Sequence, residues 1–400
     1  MIRRLASAIV VFAVLGVSPA LGAGKHGSAT RKAPNGPPSP AFYTPPTPIP
    51  SGRHGDVIWV RSKPPGRLAH AASDQIVLYR STSFNGAVIA DSGAIALPEG
   101  VPPKGGWPIV TWAHGTTGIA DQCAPSRLGV GSGSPLEDAL LARGYAVVNT
   151  DYEGLGTPGT HPYLIGVSEG RSVLDIVRAA RQLYPTELSD NVVIAGHSQG
   201  GQSAIWAAYL APTWTPELKV KGTVPFAPVS HIEDQTGLLA NVGLTGFSGL
   251  VAMIMRGIDV YDPGANVSAA LTPQAAALYP ETLTKCLPDL QKANAYGSIP
   301  LNQMVLPGTD LSRVIADEKA NDEAFLKIKT PLLIEQGLAD STVFPAYTKQ
   351  MQTELVADGV QSTLHTWNGI DHGTVVKGAP ALDAIAYIKK VLPPRGPGKR

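Results

Sequence analysis

Cysteine is almost missing from this chain. Its 400 residues hold only Cys123 and Cys286, so no disulfide framework larger than one bridge can exist. Charge is also sparse, at 16% of residues, which is low for a cytosolic protein and tolerable for a secreted one. The 32 basic and 31 acidic side chains leave a formal net charge of +1. A balance so close to neutral provides no long-range field for nucleic acid or an acidic membrane, and directs attention to a small or uncharged substrate. Internal repeats are absent. Beyond the N-terminus no stretch is long and apolar enough to span a bilayer. Gly237 to Met255 comes nearest, but Asn241, Thr245, Ser248 and several glycines interrupt it. No transmembrane segment is therefore expected in the mature chain.

Hydrophobic residues make up 44% of the chain, enough for one large core or for a core with an inserted subdomain. The N-terminus has the pattern of a secretory signal. Arg3 and Arg4 precede Leu5 to Val17, apolar except for Ser7, and the small residues Ser18, Ala20, Gly22 and Ala23 follow. That run is too short for a comfortable membrane span and is correctly flanked for removal. Residues 1–23 are expected to be a signal peptide, cut after Ala20 or Ala23, with the mature protein secreted or periplasmic. Under the oxidising conditions met outside the cytosol, Cys123 and Cys286 are expected to pair. Closing so long a loop removes on the order of 5 kcal/mol of unfolded-state entropy.

Residues 24–52 are rich in Pro, Gly and Ser without apolar periodicity, and are expected to form a flexible or polyproline-like linker. Residues 393–400, Pro-rich and basic, are expected to form a flexible tail. Between them strand and helix patterns alternate. Gln75 to Ser83 and Ala87 to Leu97 suggest an antiparallel pair turned at Asn85-Gly86. Strands are expected at Trp107 to Ala113, Tyr145 to Thr150, Val192 to Ala195 and Lys221 to Val229. Helical spacing marks Gly166 to Leu183 and Gln202 to Leu210. Pro331 to Gln336, Tyr347 to Val356, Thr363 to Trp367 and Ala381 to Val391 read strand, helix, strand, helix. Such alternation predicts an α/β fold with a mostly parallel sheet flanked by helices, here assigned to residues 53–229 and 328–392. Residues 230–327 break the pattern. They are helix-prone and show no convincing strand, so they are expected to form an inserted helical cap or lid.

Gly196-His197-Ser198-Gln199-Gly200 fits Gly-x-Ser-x-Gly, directly after an apolar strand and directly before a helical pattern. A serine hydroxyl is a poor nucleophile unless it is presented beside a base at a sharp turn, and the flanking glycines permit close backbone approach there. Ser198 is the expected nucleophile, and His197 is read as a flanking residue. The acid should follow, then the base. Asp340, on the loop after the strand Pro331 to Gln336, is the expected acid, preferred over Glu335 and Asp371; its ordinary alternative is a helix N-cap. Only His365 and His372 come later. His365 lies in a strand-like alternation. His372 lies in the Gly-flanked loop Asn368-Gly369-Ile370-Asp371-His372-Gly373, and is the expected base. Two amide donors should hold the oxyanion. They are assigned to Gln199 and to Thr116 in His114-Gly115-Thr116-Thr117-Gly118, with Thr117 as the alternative to Thr116.

These landmarks, with Cys123-Ala124-Pro125-Ser126 and Asp151-Tyr152-Glu153-Gly154, resemble the secretory lipase family over roughly Asp56 to Leu392. The resemblance implies an α/β-hydrolase fold, hydrolysis of carboxylic esters with lipid-like acyl chains, a helical cap forming an acyl tunnel, and a disulfide from the oxyanion-side loop to the cap. The single cysteine pair and the His-Gly-Thr-Thr-Gly loop depart from a yeast member of that family and match its bacterial type. Asp151 and Glu153 are read as loop-fixing residues. The expected activity is a secreted lipase or esterase with no metal and no organic cofactor, whose partners are a lipid or small-molecule ester and, transiently, a lipid interface. The same triad could serve an acyltransferase or a serine peptidase, and the scaffold could also serve a non-enzymatic binding protein.

Overall fold

The structure is a computed structural model that describes residues 33–63, 68–128, 135–239, 241 and 243–394. The expected signal peptide, residues 24–32 of the linker and residues 395–400 of the tail lie outside the described residues. Among the described residues nine strands form one sheet: β1 (Val57–Ser62), β2 (Ala71–Thr82), β3 (Val88–Pro98), β4 (Trp107–Ala113), β5 (Ala146–Thr150), β6 (Leu188–His197), β7 (Lys219–Phe226), β8 (Leu332–Gly337) and β9 (Ser362–Trp367). Their spatial order is β1-β2-β3-β5-β4-β6-β7-β8-β9. The first three strands and β5 pair antiparallel. From β5 to β9 every pairing is parallel. Strands β4, β5 and β8 are buried along their whole length, as parallel strands covered on both faces must be.

Alternation along the strands sends side chains to two separate cores. Ile109 of β4 and Val192 and Ile194 of β6 pack with the helices Gly166–Leu183, Gln199–Trp214 and Pro345–Ala357. Val110, Trp112, Val193 and Ala195 pack on the opposite face with Pro135–Leu141 and Gly378–Val391. This is the mostly parallel, helix-flanked α/β arrangement that the alternation predicts. β1 is an addition to that expectation. Only Ile58 of its six residues is buried, so its edge position leaves little apolar periodicity to read.

Part of the linker expectation is corrected. Residues 33–52 do not form a free lead-in: the Gly36 amide donates to Val60 O at 2.9 Å and the Val60 amide donates to Pro34 O at 3.0 Å. Phe42 and Tyr43 are buried in a cluster with Ile58, Ile76 and Leu78. Two anchoring aromatics among prolines create no periodicity, but they dock the segment on the sheet.

Within residues 230–327 the described backbone is helical and irregular. Its longest helices are Ile232–Leu239, Ser248–Tyr261 and Ser312–Ala320. A third core, including Met253, Ile258, Tyr279, Leu290 and Tyr296, joins this segment to Ile119 and Tyr163–Ile165 from outside it. The Cys123–Cys286 disulfide, with Cα atoms 5.5 Å apart and a sequence separation of 163, fastens it to the loop after β4. The Leu287 amide adds a hydrogen bond to Thr117 O at 2.9 Å. Among the described residues no helix is long and apolar enough to cross a membrane.

Candidate active site

Ser198 sits where β6 turns into the helix Gln199–Trp214. Its backbone is left-handed, at φ 58° and ψ −120°, a region costly for any residue with a Cβ and retained only where the surroundings enforce it. The neighbouring glycines show what enforces it. A Cβ on Gly200 would lie 2.0 Å from Ala113 O, and one on Gly196 would lie 2.1 Å from Gly200 O. The helix start is pressed against the end of β4, and only glycine fits at either contact. The Ser198 amide donates to Phe226 O of β7 at 2.9 Å, which fixes the turn to the sheet.

The three predicted chain-distant residues converge. His372 Nε2 is 2.9 Å from Ser198 Oγ, and His372 Nδ1 is 2.7 Å from Asp340 Oδ2. Asp340 follows β8, and the other oxygen of its carboxylate accepts from the Thr342 and Val343 amides, each at 2.8 Å. The helix-cap role considered as its alternative is not realised: the following helix begins at Pro345 with Phe344 at its N-cap and no side-chain cap, and Oδ1 instead holds the bend before it. Burial opposes the charged form, but the hydrogen bond and charge of His372, with the Val343 and Thr342 amides, outweigh it and hold the Asp340 carboxyl below its ordinary range. The loops bearing acid and base are tied together, since the Ala339 amide donates to Ile370 O at 2.9 Å. A Cβ on Gly337 would lie 2.3 Å from that same oxygen, so this close approach also requires glycine. The competing residues are elsewhere: Asp371 bonds Thr374, and His365 bonds Asp383.

The loop 114–118 lies beside Ser198, where a Cβ on Gly115 would be 3.6 Å from Ser198 Cβ. Thr116 Oγ1 is 2.6 Å from Tyr163 Oη, while the Thr117 hydroxyl is buried without a partner. The Gln199 side chain points into a buried network. Its Nε2 donates to Glu169 Oε1 and to His161 Nε2, both at 2.9 Å. Glu169 also accepts from the Leu164 amide and from Ser203 Oγ. Burial dominates and pushes the Glu169 carboxyl up to about 7, against the lowering effect of those donors. His161 is pushed down to about 3, chiefly by burial. Tyr163, His161 and Glu169 escape sequence reasoning. Glu169 falls in a helix whose first turn would ordinarily be read as a solvated face, and its only sequence signal is proximity to the apolar Val173 and Ile176. Asp151 accepts from Ser92 Oγ at 2.6 Å and from the Ser126 amide at 2.9 Å, and Glu153 accepts from Ser168 Oγ at 2.5 Å. Both acids thereby fasten their own loop, to β3 and to the helices Pro125–Leu128 and Gly166–Leu183.

Ser198 opens on a cavity of about 140 Å³. Ile254, Met255, Leu301 and Val305 from the 230–327 segment line it, and Glu318 provides one of its few polar walls. A second group of side chains, away from the triad, brings metal-ligating atoms within 4.8 Å of one another: Glu335, His365 and Asp383. Glu335 accepts from Trp367 Nε1 at 2.5 Å, and burial pushes its carboxyl up to about 9.

A family model described as Secretory lipase matches residues 135–392. Among curated relatives, Lipase A of Moesziomyces aphidis is 30% identical over 230 residues, covering 52% of this chain and 48% of that protein. A protein of Mycobacterium tuberculosis named a probable inactive lipase is 28% identical over 192 residues, covering 45% of this chain and 42% of its own. This chain thus spans about half the length of the curated relatives it matches. The solved structure of Candida antarctica lipase A superposes with a TM-score of 0.69 at 22% identity, covering 83% of this chain and 80% of that one, which establishes likeness of fold. Matched to the family model over more than half its length, the chain belongs to the secretory lipase family.

Proposed function

We propose that this protein is an exported serine hydrolase that cleaves carboxylic esters with lipid-like acyl groups. The observation that carries the reading is the pair of hydrogen bonds running from Ser198 Oγ through the His372 ring to Asp340. His372 Nε2 takes the hydroxyl proton as Ser198 Oγ attacks the ester carbonyl. Negative charge then develops on the carbonyl oxygen, and the backbone amides of Gln199 and Thr116 receive it. As the carbonyl re-forms, the alcohol departs with the proton held by His372, leaving an acyl-serine. Water, deprotonated by His372, attacks the acyl carbon, and the acid leaves as Ser198 recovers its proton. Asp340 keeps Nδ1 protonated and stabilises the imidazolium that appears in each half-reaction.

The apolar cavity beside Ser198 accepts the acyl chain, with residues 230–327 as the cap over a core of residues 53–229 and 328–392. The disulfide and the N-terminal residues 1–23 agree with export to an oxidising compartment. The test is turnover of p-nitrophenyl esters from acetate to stearate. Ser198→Ala should abolish turnover across the series while leaving the folded spectrum unchanged. Retained turnover would refute the assignment.

A further inference from the structure

From sequence His197 is a flanking residue of the turn, yet its ring lies against both the loop of His372 and the loop of Thr116. Its Nε2 is 2.8 Å from the backbone carbonyl oxygen of His372, so the Nε2–H donates to that carbonyl. The two imidazoles lie face to face at an angle, with ring centroids 4.6 Å apart. On its other side, a Cβ on Gly115 would lie 3.0 Å from His197 Nδ1. Gly115 immediately precedes Thr116, so the ring touches the loop assigned to the oxyanion as well. The backbone of His197 is the last residue of β6, hydrogen-bonded in register with Phe226.

We infer that His197 is a positioning residue for the base: its Nε2–H, anchored by the strand that carries Ser198, holds the His372 backbone so that the catalytic imidazole stays in line with the Ser198 hydroxyl. The inference rests on the proposed hydrolase reading. The physical reason is that His372 lies on a loop, outside any strand or helix, and has no ladder of its own to set its position. Ser198, by contrast, is fixed by the sheet. One hydrogen bond from the nucleophile's own strand makes the two move together. A positioning donor must not change sign during turnover, and His197 meets that requirement. Burial above all, together with the adjacent His372 ring, pushes it down to about 3, so it remains neutral. A neutral neighbour also places no second positive charge beside the imidazolium that forms on His372.

The test compares His197→Phe, His197→Gln and His197→Asn in the full chain. The readouts are kcat and KM on p-nitrophenyl butyrate, Tm, and the downfield proton resonance of the His372–Asp340 hydrogen bond. Phe keeps a ring but loses the donor. Its kcat should fall about 10- to 100-fold, the size expected when a catalytic group is displaced by an ångström. KM should hold and the downfield resonance should shift or broaden. Gln, whose amide nitrogen can reach the same carbonyl, should recover most of kcat; Asn is too short and should not. If Phe fails to fold, the Gln–Asn difference decides. Wild-type kcat in the Phe variant would overturn the inference, as would equal losses in Gln and Asn that track Tm. Wild-type protein that turns over no ester would instead sink the hydrolase reading, and with it this one.

Discussion

The triad and the base of the 230–327 segment treat buried charge in opposite ways. At the triad both imidazole nitrogens of His372, the Ser198 hydroxyl and both Asp340 oxygens all have partners. At the base of the segment, Glu233 and Glu318 each keep one buried oxygen without a partner, and Glu323 keeps two. Buried carboxyls in that state favour their protonated form. Burial, reinforced by Asp322, pushes Glu233 up to about 7. Burial, reinforced by Glu233 against the lowering Thr236 hydroxyl, does the same to Glu318. The first region gives each of its polar atoms a partner. The second holds its geometry while its protons are in place. Satisfied buried polar groups rigidify a site, and unsatisfied ones make it conditional.

The contrast can be broken most severely at the triad itself. Asp340→Asn keeps an oxygen for the Thr342 and Val343 amides but removes the charge that faces His372. It should lower kcat by about 10⁴-fold with little change in Tm, because the wrong imidazole tautomer is then favoured. A fall of less than tenfold would mean the carboxylate does not orient the base.

The disulfide joins the loop after β4 to the 230–327 segment. Replacing both Cys123 and Cys286 by Ser should cost up to about 5 kcal/mol in denaturant unfolding, from the freed loop alone. Ester turnover at low temperature should survive, since neither sulfur touches the triad. Undiminished stability would show that the bridge leaves the unfolded chain unconstrained.

A smaller effect sharpens the contrast through pH. A carboxyl raised on folding supports the native state fully below its unfolded value near 4.5, and that support is lost as pH rises through its folded value near 7. For Glu318 the loss is on the order of 3 kcal/mol. Glu318→Gln should therefore flatten the decline in stability between pH 5 and pH 8, read as Tm against pH. Asp340 has the opposite sign. Its depressed folded value means that its contribution is present above about 3.8 and is lost as pH falls further. A Glu318→Gln profile parallel to wild type would remove Glu318 from the account. The smallest effect is expected at Asp371, an exposed neighbour of His372 that bonds only locally. Asp371→Asn should leave kcat unchanged, and a loss comparable to Asp340→Asn would reopen the choice of acid.

Much of the sheet was legible because its central strands are uninterrupted apolar runs, and the proposed triad could be picked out because Ser198, Asp340 and His372 each stand beside a glycine-bearing turn. Boundaries were less legible where polar residues extend an element. β6 begins at Leu188, before the Ser189-Asp190-Asn191 stretch that hides its start, and the helix after Ser198 begins at Gln199, three residues before apolar spacing reveals it. Interactions that depend on tertiary approach left no local trace. Phe42 docks on Ile58, Ile76 and Leu78 from a Pro-rich segment, Glu169 accepts from Gln199 and Ser203, and His197 reaches a carbonyl 175 residues away. Pattern reports which face of an element is apolar, but not which polar atom on it will find a partner from elsewhere.

The most direct measurement is active-site labelling. Wild-type protein treated with a fluorophosphonate probe and analysed by peptide mass spectrometry should carry one adduct, on Ser198, and His372→Ala should abolish or greatly slow its formation. An adduct on another serine, or none on folded wild-type protein, would contradict the account at its centre.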